Sequence, residues 1–173
     1  MDERLKKIKL LILDVDGVMT DGRIIYDSNG VESKFFNVKD GHGIKMLQRA
    51  GIEVAIISGR QSQVVAIRAS ELRIERVFQK AVNKLVPYQQ ILADTGLSDR
   101  EIAFIGDDLI DIPVLRRVGF AAAPADAVAE VIPFVHFVTR SGGGWGAVRE
   151  LSDLLLKAQG KWEELTARYF EAA

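Results

Sequence analysis

The sequence predicts an α/β fold, a Rossmann-like parallel sheet flanked by helices on both faces. Three observations lead there. Short apolar runs rich in β-branched residues recur at Ile8–Leu13, Val54–Ile57, Ile102–Ile105 and Val135–Val138, each of strand length. Stretches of helical periodicity such as Ile44–Ala50 and Val64–Leu72 lie between them, so strands and helices alternate as right-handed crossovers require. Leu10–Leu13, Val54–Ile57 and Ile102–Ile105 are continuously apolar rather than alternating, as in strands buried on both faces.

Each element can be justified in chain order. The charged segment Met1–Lys9 leads into the short run Leu10–Leu13, too brief for a signal-peptide core or a membrane span. Arg23–Ser28 and Val31–Val38 flank Asn29-Gly30, a dipeptide suited to a tight turn, and predict a β-hairpin flap over about 23–38, inserted after the first strand. Gly51 can end a helix, and Pro87 fits the first turn of a helix over Leu85–Asp94. Ser98 with Glu101 has the spacing of a local cap. Val148, Leu151, Leu154 and Leu155 mark the buried face of the last long helix. Gly142–Gly144 reads either as a flexible connector or as backbone able to approach a ligand closely. The stretch Gly160–Ala173 mixes Trp162, Tyr169 and Phe170 with charges, as either a short docked helix or a tail reaching a partner. With no internal repeat or low-complexity linker, residues 1–173 are expected to form one domain.

Composition narrows the function classes. The 173 residues are 48% hydrophobic and 27% charged, enough to bury a sizeable core. Lys and Arg number 23 against 24 Asp and Glu, a net charge of -1, so nothing in the balance draws the chain toward nucleic acid or a membrane surface. The absence of cysteine removes disulfides, thiolate metal sites and thiol nucleophiles, and fits a cytoplasmic protein.

Ligands of such folds bind at the carboxyl ends of the strands. Three of those ends carry polar motifs: Asp14-Val15-Asp16-Gly17, Ser58-Gly59-Arg60 and Gly106-Asp107-Asp108. Asp14 and Asp16, with the later acidic residues Asp107, Asp108 and Asp111, make an oxygen-rich group suited to a hard divalent ion such as Mg2+. One carboxylate could attack phosphorus while a second protonates the leaving oxygen and later activates water. Taken alone, Asp14-Val15-Asp16-Gly17 is equally a polar strand-to-loop turn; a calcium-binding EF-hand loop, however, needs its glycine at the sixth position. Ser58 and Gly59 could bind a phosphoryl oxygen, or Ser58 could simply cap the next helix. Lys84 could offer a fixed positive charge, or be an ordinary solvated lysine.

The ordered set Asp14-x-Asp16, Ser58, Lys84 and Gly106-Asp107-Asp108-x-x-Asp111 closely resembles the haloacid dehalogenase superfamily of phosphatases. The segments Asp14–Gly22, Asp40-Gly41-x-Gly43-Ile44, Ile57–Arg60 and Gly142–Glu150 further resemble its capless KDO 8-phosphate phosphatases, with the similarity running from about Lys9 to Lys161. The resemblance implies Asp14 as nucleophile, Asp16 as acid and base, and Ser58, Gly59 and Lys84 as phosphate-binding residues. It implies Mg2+ held by Asp14, the Asp16 carbonyl and Asp107, with Asp108 and Asp111 supporting them, and it implies Arg60 and Arg68 as contacts to the sugar acid. A homotetramer assembled through the flap, with active sites shared between subunits, follows from the same resemblance. His42 and Trp145 depart from the family pattern, which often has Tyr and a basic residue there; His42 and His136 otherwise read as flap or core histidines. The leading expectation is hydrolysis of KDO 8-phosphate in lipopolysaccharide precursor synthesis. The alternatives are a nine-carbon sialic-acid-type 9-phosphate, a noncatalytic carboxylase subunit of the same fold, or a phosphate-accepting switch, the last disfavoured by Asp16.

Overall fold

The computed structural model describes residues 2–170. Its centre is a six-stranded parallel sheet built from β1 (Leu10–Leu13), β4 (Glu53–Ile57), β5 (Arg76–Phe78), β6 (Ile102–Ile105), β7 (Phe120–Ala123) and β8 (Phe137–Val138). The strand order is β5-β4-β1-β6-β7-β8, with every neighbouring pair parallel. From β1 the chain builds outward through β4 and β5, then crosses back and builds the other way through β6 to β8. The sheet therefore reverses its direction of growth at β1, and a crevice opens at the strand ends there.

Alternate side chains of β1 enter opposite cores. Leu11 and Leu13 join α1 (Val38–Arg49), α2 (Gln63–Leu72) and α5 (Ala147–Ala158) on one face. Leu10 and Ile12 join α3 (Leu85–Thr95) and α4 (Ile112–Leu115) on the other. All four β1 side chains are fully buried, and burial of each such residue contributes about 1.5–3 kcal/mol. This double burial is why the strand reads as an unbroken apolar run.

Local signals set the helix starts. Asn37 accepts a hydrogen bond from the Lys39 N–H at 2.8 Å and starts α1 earlier than apolar periodicity indicates. Ser62 caps α2 through the Val65 N–H at 3.3 Å. Gly51, at φ +76°, follows the end of α1, and Ser98 with Glu101 forms the expected capping box.

Several boundaries differ from expectation. The first strand begins at Leu10, because Ile8 is the buried residue following a 3-10 turn at Leu5–Lys7. The last strand covers only Phe137–Val138, since a 3-10 segment over Ala129–Phe134 precedes it. The flap hairpin is present as β2 (Ile25–Tyr26) and β3 (Glu32–Ser33), but its turn is wider than a two-residue Asn-Gly turn. Only Gly30 takes a positive φ, and Asp27 closes the loop by accepting the Asn29 and Val31 N–H groups, both at 2.8 Å. Apart from this hairpin, the described residues contain no insertion that could serve as a cap domain.

The C-terminal segment forms α6 (Trp162–Ala167), docked through Trp162 and Leu165 against the α1/α5 core. Residues 171–173 of the expected tail lie outside the described residues. No helix among the described residues is long and apolar enough to cross a membrane.

Candidate active site

Asp14 follows β1, Ser58 follows β4, Asp107 follows the end of β6, and Lys84 precedes α3 beyond β5. Because β4, β1 and β6 are adjacent in the sheet, residues far apart in sequence meet at one edge. Lys84 lies at the centre. Its side chain is fully buried, with Nζ 2.7 Å from Asp14 Oδ1 and 2.6 Å from Asp111 Oδ1. A solvated surface lysine is therefore excluded, and the reason is electrostatic: two buried carboxylates need a buried cation.

Asp111 is saturated. One oxygen takes Lys84, and the other accepts the Asp107 N–H at 2.9 Å and the Asp108 N–H at 3.2 Å. It orients the loop that carries Asp107. Asp108 points away, exposed and capping the Leu109 N–H at 2.7 Å. Asp107 Oδ1, by contrast, is buried and has no hydrogen-bond partner among the described residues. Carboxylate oxygens of Asp14, Asp107 and Asp111 lie within 4.8 Å of one another.

Burial, together with the neighbouring carboxylates, holds both Asp14 and Asp107 above the ordinary carboxylate range, against the opposing pull of Lys84. Burial also opposes the charge on Lys84, but Asp14 and Asp111 outweigh it and hold its proton more tightly. Three carboxylates facing one ammonium leave an excess of two negative charges when all are ionised. With an orphaned buried acceptor and all-oxygen donors, the group fits a hard divalent cation. Space is tight around it: a Cβ on Gly17, at φ +89°, would lie 2.0 Å from Asp107 Oδ2.

Ser58 is buried and does not cap α2, a role Ser62 holds; its Oγ accepts the Arg60 N–H at 3.3 Å. Gly59 stands beside it, with room for a Cβ 3.5 Å from Ile110. Asp16 faces the flap instead of the acidic group. Lys34, from the flap, bonds its Oδ1, and Arg60 Nε lies 3.8 Å from its Oδ2. Arg60 also donates to the Tyr26 hydroxyl at 3.1 Å.

Arg68 is not brought to these groups within the chain. It pairs with Glu71 at 3.1 Å and lies 5.7 Å from the Phe36 ring centroid. The glycines Gly142–Gly144 do approach backbone closely, but the backbone is the chain's own: a Cβ on Gly143 would lie 1.8 Å from the Gly17 carbonyl oxygen. His136 accepts the Ala121 N–H at 2.9 Å and stacks on Phe120, but it is exposed at the sheet edge, so it is an ordinary structural histidine and not a core one. His42 meets the Tyr169 hydroxyl at 3.2 Å and so receives the C-terminal segment. Trp145 is exposed.

Residues 62–149 match the model of the haloacid dehalogenase-like hydrolases. A curated relative, 3-deoxy-D-manno-octulosonate 8-phosphate phosphatase KdsC of Escherichia coli strain K12, is 48% identical over 161 residues, covering 93% of this chain and 86% of its own. The chain belongs to this phosphatase family. Among solved structures, the phosphatase of that name from Yersinia pestis superposes with a TM-score of 0.92 at 48% identity, covering 93% of this chain and 87% of its own. The Moraxella catarrhalis phosphatase, solved with a magnesium ion, a phosphate ion and a KDO molecule, gives 0.94 at 39% identity and covers 96% of each chain.

Sequence reasoning missed Lys34, Glu32 and Tyr26 of the flap, and Ser62. A signal was available for two of them. Glu32 and Lys34 are two residues apart at β3, and side chains at that spacing along a strand share a face.

Proposed function

We propose that the protein is an Mg2+-dependent phosphomonoesterase that hydrolyses KDO 8-phosphate to KDO and phosphate. The observation that carries this reading is the separation of two carboxylates: Asp14 in the cation-poor group with Lys84 and Asp107, and Asp16 outside it, facing the flap. In this reading an oxygen of Asp14 attacks phosphorus in line with the bond to the sugar oxygen. That bond breaks, Asp16 gives its proton to the departing alkoxide, and phosphate remains on Asp14 as an acyl phosphate. Asp16, now a carboxylate, takes a proton from water; the water oxygen joins phosphorus, the bond to Asp14 breaks, and inorganic phosphate leaves.

Lys84 holds Asp14 in place and, with Ser58 and Gly59, would receive phosphoryl oxygens. Asp14, the Asp16 carbonyl and Asp107 would hold the Mg2+, which offsets repulsion between nucleophile and phosphate. Arg60 stands beside Asp16, where a sugar-acid carboxylate would meet a planar bidentate donor.

The same reading places the enzyme in the cytoplasm, in lipopolysaccharide precursor synthesis. It also makes it a homotetramer, a state supported by the exposed apolar side chains Ile24, Val31, Phe35 and Val38 along the flap. Arg68, which lies apart from its own site, would then serve a neighbouring one. Turnover of purified protein with Mg2+ against KDO 8-phosphate, a nine-carbon sugar-acid phosphate and simple sugar phosphates tests the reading. The expected result is a clear preference for KDO 8-phosphate in kcat/KM. Preference for the nine-carbon substrate would overturn the substrate, and absence of turnover on the whole panel would overturn the activity.

A further inference from the structure

Asp16 and three charged side chains beside it, Lys34, Glu32 and Arg60, close into a ring. Lys34 Nζ bonds Asp16 Oδ1 and lies 3.4 Å from Glu32 Oε1. Arg60 Nη2 lies 3.7 Å from the same Glu32 oxygen, and Arg60 Nε returns to Asp16 Oδ2 at 3.8 Å. Signs alternate around the ring, which joins the turn after β1, the flap strand β3 and the loop before α2. It is also anchored: Ser62, the cap of α2, bonds Glu32 Oε2, and its own N–H donates to Gln79 Oε1 at 2.6 Å.

The corners differ. The Lys34 side chain is 1% exposed and committed to Asp16, whereas both Arg60 distances exceed hydrogen-bond length. Arg60 Nε and Glu32 Oε1 are buried without hydrogen-bond partners among the described residues. Arg60 is thus free to accept another anion, while Lys34 is not.

We infer that Lys34 is a positioning residue that holds the Asp16 carboxyl on the leaving-group side of the site, with Glu32 fixing Lys34 in turn. The inference rests on the proposed role of Asp16 as proton donor. A carboxyl two residues beyond the nucleophile can rotate about its Cα–Cβ bond, and in a site that draws in a cation it would turn inward. The buried ammonium of Lys34 gives it a fixed partner on the flap side. Departing oxygen also lies on that side, because in-line displacement sends it away from Asp14. The flap then contributes to the chemistry of its own subunit in addition to covering the site.

The test compares kcat/KM on two substrates. KDO 8-phosphate releases a basic alkoxide and needs the proton; 4-nitrophenyl phosphate releases a weakly basic phenolate and needs it little. Because kcat/KM covers steps only up to the departure of that group, later hydrolysis of the acyl phosphate does not enter. Lys34→Met is expected to lower kcat/KM on KDO 8-phosphate by about 30-fold or more, within what misplacement by an ångström costs. On 4-nitrophenyl phosphate the fall should be about threefold, and Lys34→Arg should recover most of both.

In an Asp16→Asn background, Lys34→Met should add little further loss. Equal falls on both substrates, or a full additional loss in that background, would overturn the inference. Glu32→Gln supplies a second variant that reads the same ratio should Lys34→Met not fold, and an unchanged ratio there counts equally against it. Wild-type protein inactive on both substrates would instead sink the phosphatase reading itself.

Discussion

Replacing Lys84 by methionine keeps most of the side-chain volume and removes the ammonium between Asp14 and Asp111. The Lys84 and Asp111 side chains are fully buried and Asp14 is 7% exposed, so water cannot replace the lost charge. Breaking a buried pair from one side typically costs about 3–5 kcal/mol, which in a chain of this length corresponds to roughly 10 °C or more in Tm. The loss should depend on pH, and the sign follows from the carboxyls. Asp14 and Asp107 have folded pKa values raised by burial above the ordinary 3.8. Stability tied to such groups is complete below that ordinary value and is lost as pH rises through the raised ones. Without Lys84 these carboxyls rise further. Near about pH 5 they hold protons and the variant loses little, whereas near about pH 8 they must either ionise without the cation or keep protons that the unfolded chain gives up, and the penalty appears. Thermal unfolding of both proteins in EDTA at the two pH values measures the difference. A loss below about 1 kcal/mol at the higher pH, or the same loss at both, would refute the buried-cation account.

Three further outcomes are expected. EDTA should abolish phosphatase activity and Mg2+ restore it, with protons released on binding as the raised carboxyls give them up; a fully active metal-free preparation would contradict the site. Arg60→Ala should weaken turnover of KDO 8-phosphate far more than that of 4-nitrophenyl phosphate, since its guanidinium lies beside Asp16 rather than among the inner carboxylates; equal losses would place Arg60 in the phosphoryl chemistry. Asp40, buried at the start of α1 with its Oδ1 accepting the Arg149 N–H at 2.7 Å, has its carboxyl pushed up by burial to about 6. Against the ordinary 3.8, that rise corresponds to ~3 kcal/mol of stability present at low pH and lost as pH climbs through about 6. Asp40→Asn should therefore flatten the unfolding free energy between about pH 4 and pH 7 relative to wild type, read from urea midpoints.

The three central strands are legible in the sequence because both of their faces are covered, which leaves Leu10–Leu13, Val54–Ile57 and Ile102–Ile105 as uninterrupted apolar runs. β7 escaped for a physical reason. Three of its four residues are alanine, which carries little strand preference; neighbours β6 and β8 hold Phe120–Ala123 in place. β5 is three residues long and opens on Arg76, too short for a periodicity to register. Strand order depends on which helix packs on which face, and no run of residues reports that by itself. The same division runs through the site. Asp14, Ser58, Lys84 and Asp107 were legible from their order at strand ends, but that Lys84 is buried follows only from the carboxylates brought around it. Lys34 looked like one more lysine in a chain with 23 basic residues. Its burial comes from the flap folding down onto Asp16.

These contacts divide the crevice into two electrostatic compartments. The inner one, with Asp14, Asp107, Asp111 and Lys84, carries an excess of two negative charges when fully ionised. A dication would bring it to neutrality and so lift the inner group's repulsion of a phosphate monoester. The outer compartment, the ring of Asp16, Lys34, Glu32 and Arg60, is neutral while Asp16 is ionised and carries one positive charge when Asp16 holds the proton it donates. Such a ring has no need of a metal to persist, whereas the inner group does. Metal removal should therefore disturb the setting of Asp14 and Asp107 while leaving the flap on Asp16. Neutralising Lys34 should do the reverse, freeing Asp16 while the inner carboxylates still bind Mg2+. Measured Mg2+ affinity of Lys34→Met close to wild type, beside a clear loss of affinity in Asp107→Asn, is the pattern this separation requires. A comparable loss in both would mean that flap and metal form one coupled unit.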